Sequence, residues 1–404
     1  MASTNVAGAG AVARPVPGAT WRGRVHDATA IGVVLNRLWA QFGGEQSAGA
    51  QARASTLNLT VVTRSRRGAG HAIDAVTRLS NLYPSRATIL VANHERGTDS
   101  GPGLDVEITL LEQAATRGRP AVRFECITVE VSTENEQQLA SITSPLLVAD
   151  LPDFLWWAGG DTGGDLFDDL TAITDRLIVD TATIAAPSGE LTRLSALVRR
   201  EEGNLRLSDF AWARIEPWRH LVTQFFDPPA CRPALHAIDD VAIVYRAADA
   251  AGKSALSGAL LLAGWLGSRL GWQAPGELVP IRSTPGGWRA TLRAGERGRR
   301  RETLLTLLPT ANPAAGCCLE RVTLSAQGIV PGVFRVERSD RLGLTTTSEM
   351  AKMTPISRGI FAPVADEAVL LAAELQVFGR DLVYEAALDF AAVLAPDLAT
   401  TEHA

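Results

Sequence analysis

Near-continuous apolar runs separated by amphipathic stretches dominate the first half of this chain. Leu57-Asn58-Leu59-Thr60-Val61-Val62, Ala87-Thr88-Ile89-Leu90-Val91-Ala92, Phe154-Leu155-Trp156-Trp157 and Leu177-Ile178-Val179-Asp180 have the length and content of buried strands. Residues 105–111 and 122–131 add two more. Apolar residues at helical spacing predict a first helix over 25–42, where Ile31, Val34, Leu35, Leu38 and Trp39 share a face. Further helices are predicted over 70–82, 136–142, 166–174 and 190–200. Strands with little polar character, alternating with helices, belong to a sheet covered on both faces.

After Asp227-Pro228-Pro229 the rhythm changes. Strand-like runs over 241–245, 278–283, 287–292, 302–308, 318–326 and 332–338 follow one another across turns, surrounding one apolar helix over 254–270. Consecutive strands without intervening helices imply an antiparallel sheet. A last helix over 365–394 contains Phe378-Gly379-Arg380 and is expected to break near Gly379. The predicted fold class is therefore α/β with a second α+β part. Residues 1–24 form a disordered tail, and 25–228 form an α/β domain whose mostly parallel sheet carries helices on both faces. Residues 229–404 form an α+β domain with an antiparallel sheet and a C-terminal helix.

Length agrees with two domains, since 404 residues exceed what one core usually supports. A net charge of −5 argues against general affinity for nucleic acid or an anionic membrane. The longest apolar run, 255–267, is interrupted by Ser257 and two glycines and falls short of the about 20 residues of a membrane span. No charged start followed by an apolar block opens the chain, so a cytoplasmic location is expected. Cys126, Cys231, Cys317 and Cys318 have neither disulfide-framework nor zinc spacing, and no two of the six histidines lie three or four residues apart. Neither a metal nor another cofactor is expected.

Several short motifs invite chemistry. Gly252-Lys253-Ser254 imitates the end of a phosphate-binding loop, but Ala247 stands where the pattern needs glycine. The run Gly159-Gly160-Asp161-Thr162-Gly163-Gly164 follows a strand and precedes a helix, the context that holds anions, yet its aspartates would repel phosphate. His94-Glu95-Arg96 reads either as part of a ligand site at a strand end or as a solvated turn. In Pro84-Ser85-Arg86, Ser85 and Arg86 are candidates for holding a ligand, against the alternative of a plain turn.

Two stretches stand out for tryptophan. Leu151-Pro152-Asp153-Phe154-Leu155-Trp156-Trp157 and Ser208-Asp209-Phe210-Ala211-Trp212-Ala213-Arg214-Ile215-Glu216-Pro217-Trp218-Arg219 hold four of the nine tryptophans. Ser208 or Asp209 is placed to cap a helix, and Pro217 to begin the next. Trp156 and Trp157 point to opposite faces on a strand, so at least one belongs to the core. Beyond that, the cluster divides evenly between core packing and a contact surface, because Trp and Arg are enriched at interface hot spots.

With Tyr83-Pro84-Ser85-Arg86-Ala87, Ile178-Val179-Asp180 and Leu261-Leu262-Ala263-Gly264-Trp265-Leu266-Gly267-Ser268-Arg269-Leu270-Gly271-Trp272, these stretches form five ordered blocks. Through them the chain resembles the glucose-6-phosphate dehydrogenase assembly protein family, OpcA, from about residue 25 to 396. The resemblance implies a non-catalytic partner that binds glucose-6-phosphate dehydrogenase, promotes its assembly or activates it, and so supports NADPH supply through the oxidative pentose phosphate pathway. It implies no catalytic residues. Contacts are expected in the blocks, with Trp156, Trp157, Asp209, Trp212, Arg214, Trp218 and Arg219 as candidates. The competing expectation is a sugar-phosphate- or nucleotide-binding enzyme, or a metabolite-sensing module. Either would use the carboxyl edge of the first sheet, with Arg86, His94 and the loop 159–164.

Overall fold

The computed structural model describes residues 16–42, 55–80, 82–93, 103–113, 122–132, 135–184, 187–200, 205–247, 255–294, 301–311, 319–328, 330–340, 342–351, 354–377 and 379–396. The chain divides into two compact units. One comprises residues 1–159, 163–177 and 371–376; the other comprises 160–162, 178–370 and 377–404. The boundary expected near residue 228 falls inside the second unit.

The first unit contains β1 (Val16–Val25), α1 (Ala28–Phe42), β2 (Leu57–Thr63), α2 (Arg66–Leu79), β3 (Ser85–Asn93), β4 (Leu104–Gln113), β5 (Val122–Ser132), α3 (Gln137–Leu146), β6 (Asp153–Trp157) and α4 (Asp165–Thr171). The division falls within β7 (Arg176–Val179), and β8 (Arg206–Asp209) completes an eight-stranded sheet ordered β1-β4-β5-β3-β2-β6-β7-β8. Strands β5, β3, β2 and β6 are parallel to one another, while β4 runs antiparallel to β5 and to β1.

All seven residues of β2 are buried, which is why these strands read as unbroken apolar runs. Register assigns the faces. Asn58 pairs with Arg86, and Arg86 with Glu125, so these three share one side with α1 and α3, whose Trp39 Nε1 and Leu146 carbonyl reach Glu125 and Arg86. Helix α2 covers the other side through Ala69, Ala72, Ala75, Val76 and Leu79. Ser65 caps it, its hydroxyl accepting from Gly68 N at 3.1 Å.

Residues 16–24 were expected in the tail but belong to β1, an edge strand held by backbone pairing with β4 and by the pairs Arg22–Glu107 and Arg24–Asp105, both 2.9 Å. Small residues hide that strand in the sequence; the partner across the ladder makes it.

The second unit contains a 3-10 turn at Thr181–Thr183, α5 (Pro187–Arg200), α6 (Phe210–Arg214), α7 (Glu216–Gln224), α8 (Arg232–Leu235) and β9 (Ile238–Arg246). It continues with α9 (Leu256–Leu270), β10 (Val279–Pro280), β11 (Trp288–Ala294), β12 (Arg301–Thr310), β13 (Leu319–Ala326), β14 (Gly332–Arg338), β15 (Gly343–Met350) and β16 (Ile356–Phe361); the division falls within α10 (Glu367–Glu374), and α11 (Leu382–Leu394) follows in the second unit. Its sheet is ordered β10-β11-β12-β9-β13-β14-β15-β16 and is antiparallel except for the pair β9 and β12. The expected strand over 278–283 pairs only at Val279 and Pro280, whereas β15 and β16 were not anticipated.

Helix α9 is largely apolar all round, as expected of a stretch in which every residue from Leu256 to Gly267 is buried. Gly264 lets α11 approach so closely that a Cβ there would lie 2.1 Å from the Ala387 carbonyl oxygen. Gly271, at φ 65°, ends α9 in the left-handed conformation that glycine adopts without strain. The expected break near Gly379 separates α10 from α11. No described helix is long and apolar enough to cross a membrane.

Candidate functional site

The second tryptophan block builds the polar centre of the second unit. Asp209 ends β8 and caps α6, accepting from Ala211 N at 2.8 Å. It also accepts from Thr181 N at 3.1 Å, Thr181 Oγ1 at 2.7 Å and the Tyr384 hydroxyl at 3.4 Å. The Thr181 carbonyl in turn accepts from Ser257 Oγ at 2.8 Å. Full burial pushes the Asp209 carboxyl up to about 7; nearby Asp180 adds to the rise, while the donors from Thr181 and Ala211 oppose it. Beside it Arg214 grips Asp180 through two bonds of 2.6 and 2.7 Å. These carboxylates join strand ends and helices from distant parts of the sequence.

Trp212 is enclosed on three sides. Its Nε1 donates to Asp381 Oδ2 at 2.9 Å, the Arg219 guanidinium lies 3.2 Å from its ring centre, and Tyr384 stands 5.5 Å away. Asp381 also caps α11, accepting from Val383 N and Tyr384 N. Trp218, on α7, lies under the Arg338 guanidinium at 5.7 Å. Phe225 and Phe226, just beyond α7, meet Phe334 of β14 with tilted rings, centroids 5.5 and 4.9 Å apart. Because this end of α7 sits over β14, β15 and β16 are left with a groove of about 190 Å3 beside them, lined by Leu221, Phe225, Cys231, Met350, Ile356 and Ile360 among others.

The first block is equally internal. Trp157 meets Phe167 of α4 edge to face at 5.0 Å, with Arg64 5.6 Å from its ring. Trp156 alternates to the other face, where register sets it beside Val61. Exposure is 3% for Trp156, 2% for Trp157, 5% for Trp212 and 0% for Trp218. All four indoles are therefore packed within the chain. Asp209, Arg214 and Arg219 are likewise engaged internally.

Ser85 and Arg86 also have partners within the chain. Ser85 is buried, and Arg86 Nε donates to Glu125 Oε2 at 2.9 Å while Nη1 donates to the Leu146 carbonyl at 2.8 Å. Arg86 stands at the amino end of β3, opposite the carboxyl edge at which it was expected to act. In the loop 159–164, Glu190 accepts from both the backbone N–H and the hydroxyl of Thr162. His94-Glu95-Arg96, Gly252-Lys253-Ser254, Cys317 and Cys318 lie outside the described residues.

A second groove, of about 590 Å3, lies beside α2 over β1, β4 and β5. Its charges are matched across it, Arg66 to Glu130 at 2.8 Å alongside the two pairs of β1. Burial pushes the Cys126 thiol up to about 12, so it stays protonated and unreactive. Among the described residues no group of three or more His, Cys, Asp or Glu is placed to hold a metal ion.

Fold and site define an α/β protein of two eight-stranded sheets whose Trp, Arg and Asp clusters are internal struts. Residues 76–196 match the family model described as glucose-6-phosphate dehydrogenase subunit N-terminal domain, and residues 205–388 match its C-terminal counterpart. The chain belongs to this family, the OpcA proteins. A relative from Nostoc punctiforme, named as an OxPP cycle protein OpcA, is 37% identical over 150 residues, covering 37% of this chain and 30% of that protein. One of the same name from Synechococcus elongatus is 28% identical over 302 residues, covering 69% of this chain and 61% of that protein. The chain thus aligns with less than two thirds of either relative. Among solved structures, the super-repressor mutant of Gal80p from Saccharomyces cerevisiae superposes with a TM-score of 0.43 at 8% identity, over 80% of this chain and 85% of that one.

Proposed function

We propose that this chain is a non-catalytic partner of glucose-6-phosphate dehydrogenase that binds the enzyme in the cytoplasm and raises its activity or assembly, supporting NADPH production by the oxidative pentose phosphate pathway. What carries the reading is the match of both halves of the chain to family models described as subunit domains of that dehydrogenase. The internal matching of charges agrees with it. Asp209, Asp180 and Glu190 are engaged by donors of the same chain, so none stands ready as an acid, a base or a ligand for substrate.

Activation requires that the chain bind one conformation of the enzyme better than another, and the difference in affinity sets the size of the effect. A rigid surface suits that task. The buried Trp212 and Trp218 serve it by fixing α7 and the start of α11, whose outer residues then meet the enzyme. The test mixes the purified chain with its dehydrogenase: the two are expected to co-elute on a sizing column, with a changed Michaelis constant or maximal rate. Absence of both effects, or turnover of glucose 6-phosphate by the chain alone, overturns the reading.

A further inference from the structure

The two edges of the second sheet differ in character. At one, β10 is two residues long and ends on Pro280, which has no N–H; short strands and prolines are how proteins guard an edge. At the other, β16 follows β15 in unbroken register from Gly343 opposite Phe361 to Ser348 opposite Ile356. It is three times as long as β10 and has no proline within it; Pro355 and Pro363 flank it on either side. Ile356 is 46% exposed and Phe361 76%.

The backbone of β16 is half satisfied. Ala362 N donates to the Leu342 carbonyl, and bonding alternates along an antiparallel pair. Arg358 and Ile360 therefore bond inward to β15, while Ser357, Gly359 and Phe361 direct their N–H and C=O groups outward. Among the described residues no strand pairs with that side. Side chains alternate the other way: Ile356, Arg358 and Ile360 line the groove under α7. No acidic residue lines it, and Arg358 has no carboxylate partner among the described residues.

We infer that β16 takes up an extended segment of the dehydrogenase by strand addition. Outward backbone groups of β16 bond the incoming strand, whose alternate apolar side chains enter the groove beside Leu221 and Phe225 and whose carboxylate meets Arg358. This rests on the reading that the chain binds that enzyme. A second copy of the chain fits worse, because its own β16 has no acid and would bring another Arg358 to the same groove.

The test uses the full chain, the purified dehydrogenase and two variants. Ser357→Pro removes an outward N–H without touching a bond to β15, and Arg358→Glu reverses an exposed charge that makes no internal pair. Both are expected to melt at the wild-type temperature and to bind the enzyme at least tenfold more weakly. Should Ser357→Pro melt early, Arg358→Glu alone decides. Wild-type binding with undiminished affinity in the variants overturns the edge assignment and leaves the binding reading intact. Failure of the wild-type chain to bind overturns both. A concentration-dependent dimer of the chain that Ser357→Pro abolishes overturns the choice of occupant.

Discussion

The indole N–H of Trp212 donates to the carboxylate of Asp381, 2.9 Å away and 169 positions later in the chain, and that same carboxylate caps α11. One hydrogen bond thus ties the start of α11 to α6, and the Arg219 guanidinium on the ring face locks the arrangement. Replacing Trp212 by Ala is expected to destabilise the protein by about 3–5 kcal/mol, as for other buried aromatic truncations. Trp212→Phe keeps most of the packing and should lose less. Equilibrium denaturation measures both; an alanine variant as stable as wild type, with lost activation of the dehydrogenase, would return Trp212 to the contact surface.

Asp209 gives the unit a pH signature. Its carboxyl rises from an ordinary 3.8 to about 7, chiefly through burial. Between those values the folded protein holds a proton that the unfolded chain has released. Its contribution is therefore complete below pH 3.8 and is lost as pH rises through about 7. Other carboxylates titrate too, so the comparison is with Asp209→Asn, which does not. The stability of that variant relative to wild type should climb between pH 4 and 7; a flat or falling difference would show that the donors from Thr181 and Ala211 outweigh burial.

Arg86 and Glu125 make a second internal pair, and Glu125 also accepts from Trp39 Nε1 at 3.0 Å. Arg86→Ala strands a carboxylate inside the first unit and should cost about 3–5 kcal/mol. Adding Glu125→Gln removes the stranded charge and should recover part of the loss. If Arg86→Ala instead leaves the melting temperature unchanged and removes a thermal shift by glucose 6-phosphate or NADP, Arg86 is a ligand contact after all.

The approach of α11 to α9 depends on Gly264. An alanine methyl would sit 2.1 Å from a backbone oxygen, which no rotamer change relieves, so the helices must part. Gly264→Ala should cost about 1–3 kcal/mol or more, the usual range for overpacking. The same change at exposed Gly359, which meets nothing within 4 Å, is expected to leave the denaturation midpoint nearly unmoved.

Much of the fold was legible from local pattern. Strands β2, β3 and β6 showed as apolar runs because both faces of a parallel sheet are covered, so their burial is written along each segment. A cap at Ser208 or Asp209, of which the structure uses Asp209, and the largely apolar α9 were equally local. Edges were not. Strand β1 contains Pro17 and small residues, and β16 is interrupted by Gly359, so neither declares itself until β4 and β15 supply a ladder. The run Leu344-Thr345-Thr346-Thr347 was the available hint for β15, being rich in β-branched residues.

Residue identity along the chain established which groups must find partners: four indoles, several guanidiniums and a few carboxylates within two short blocks. Which partners they found depended on pairings across long separations, Trp212 with Asp381, Asp209 with Tyr384, Arg86 with Glu125. A side chain becomes strut or surface according to what is packed over it, and burial is a property of the assembled chain. For the same reason the groove beside β16 had no counterpart in the sequence: it exists because α7 rests on Phe334 and leaves the last two strands uncovered.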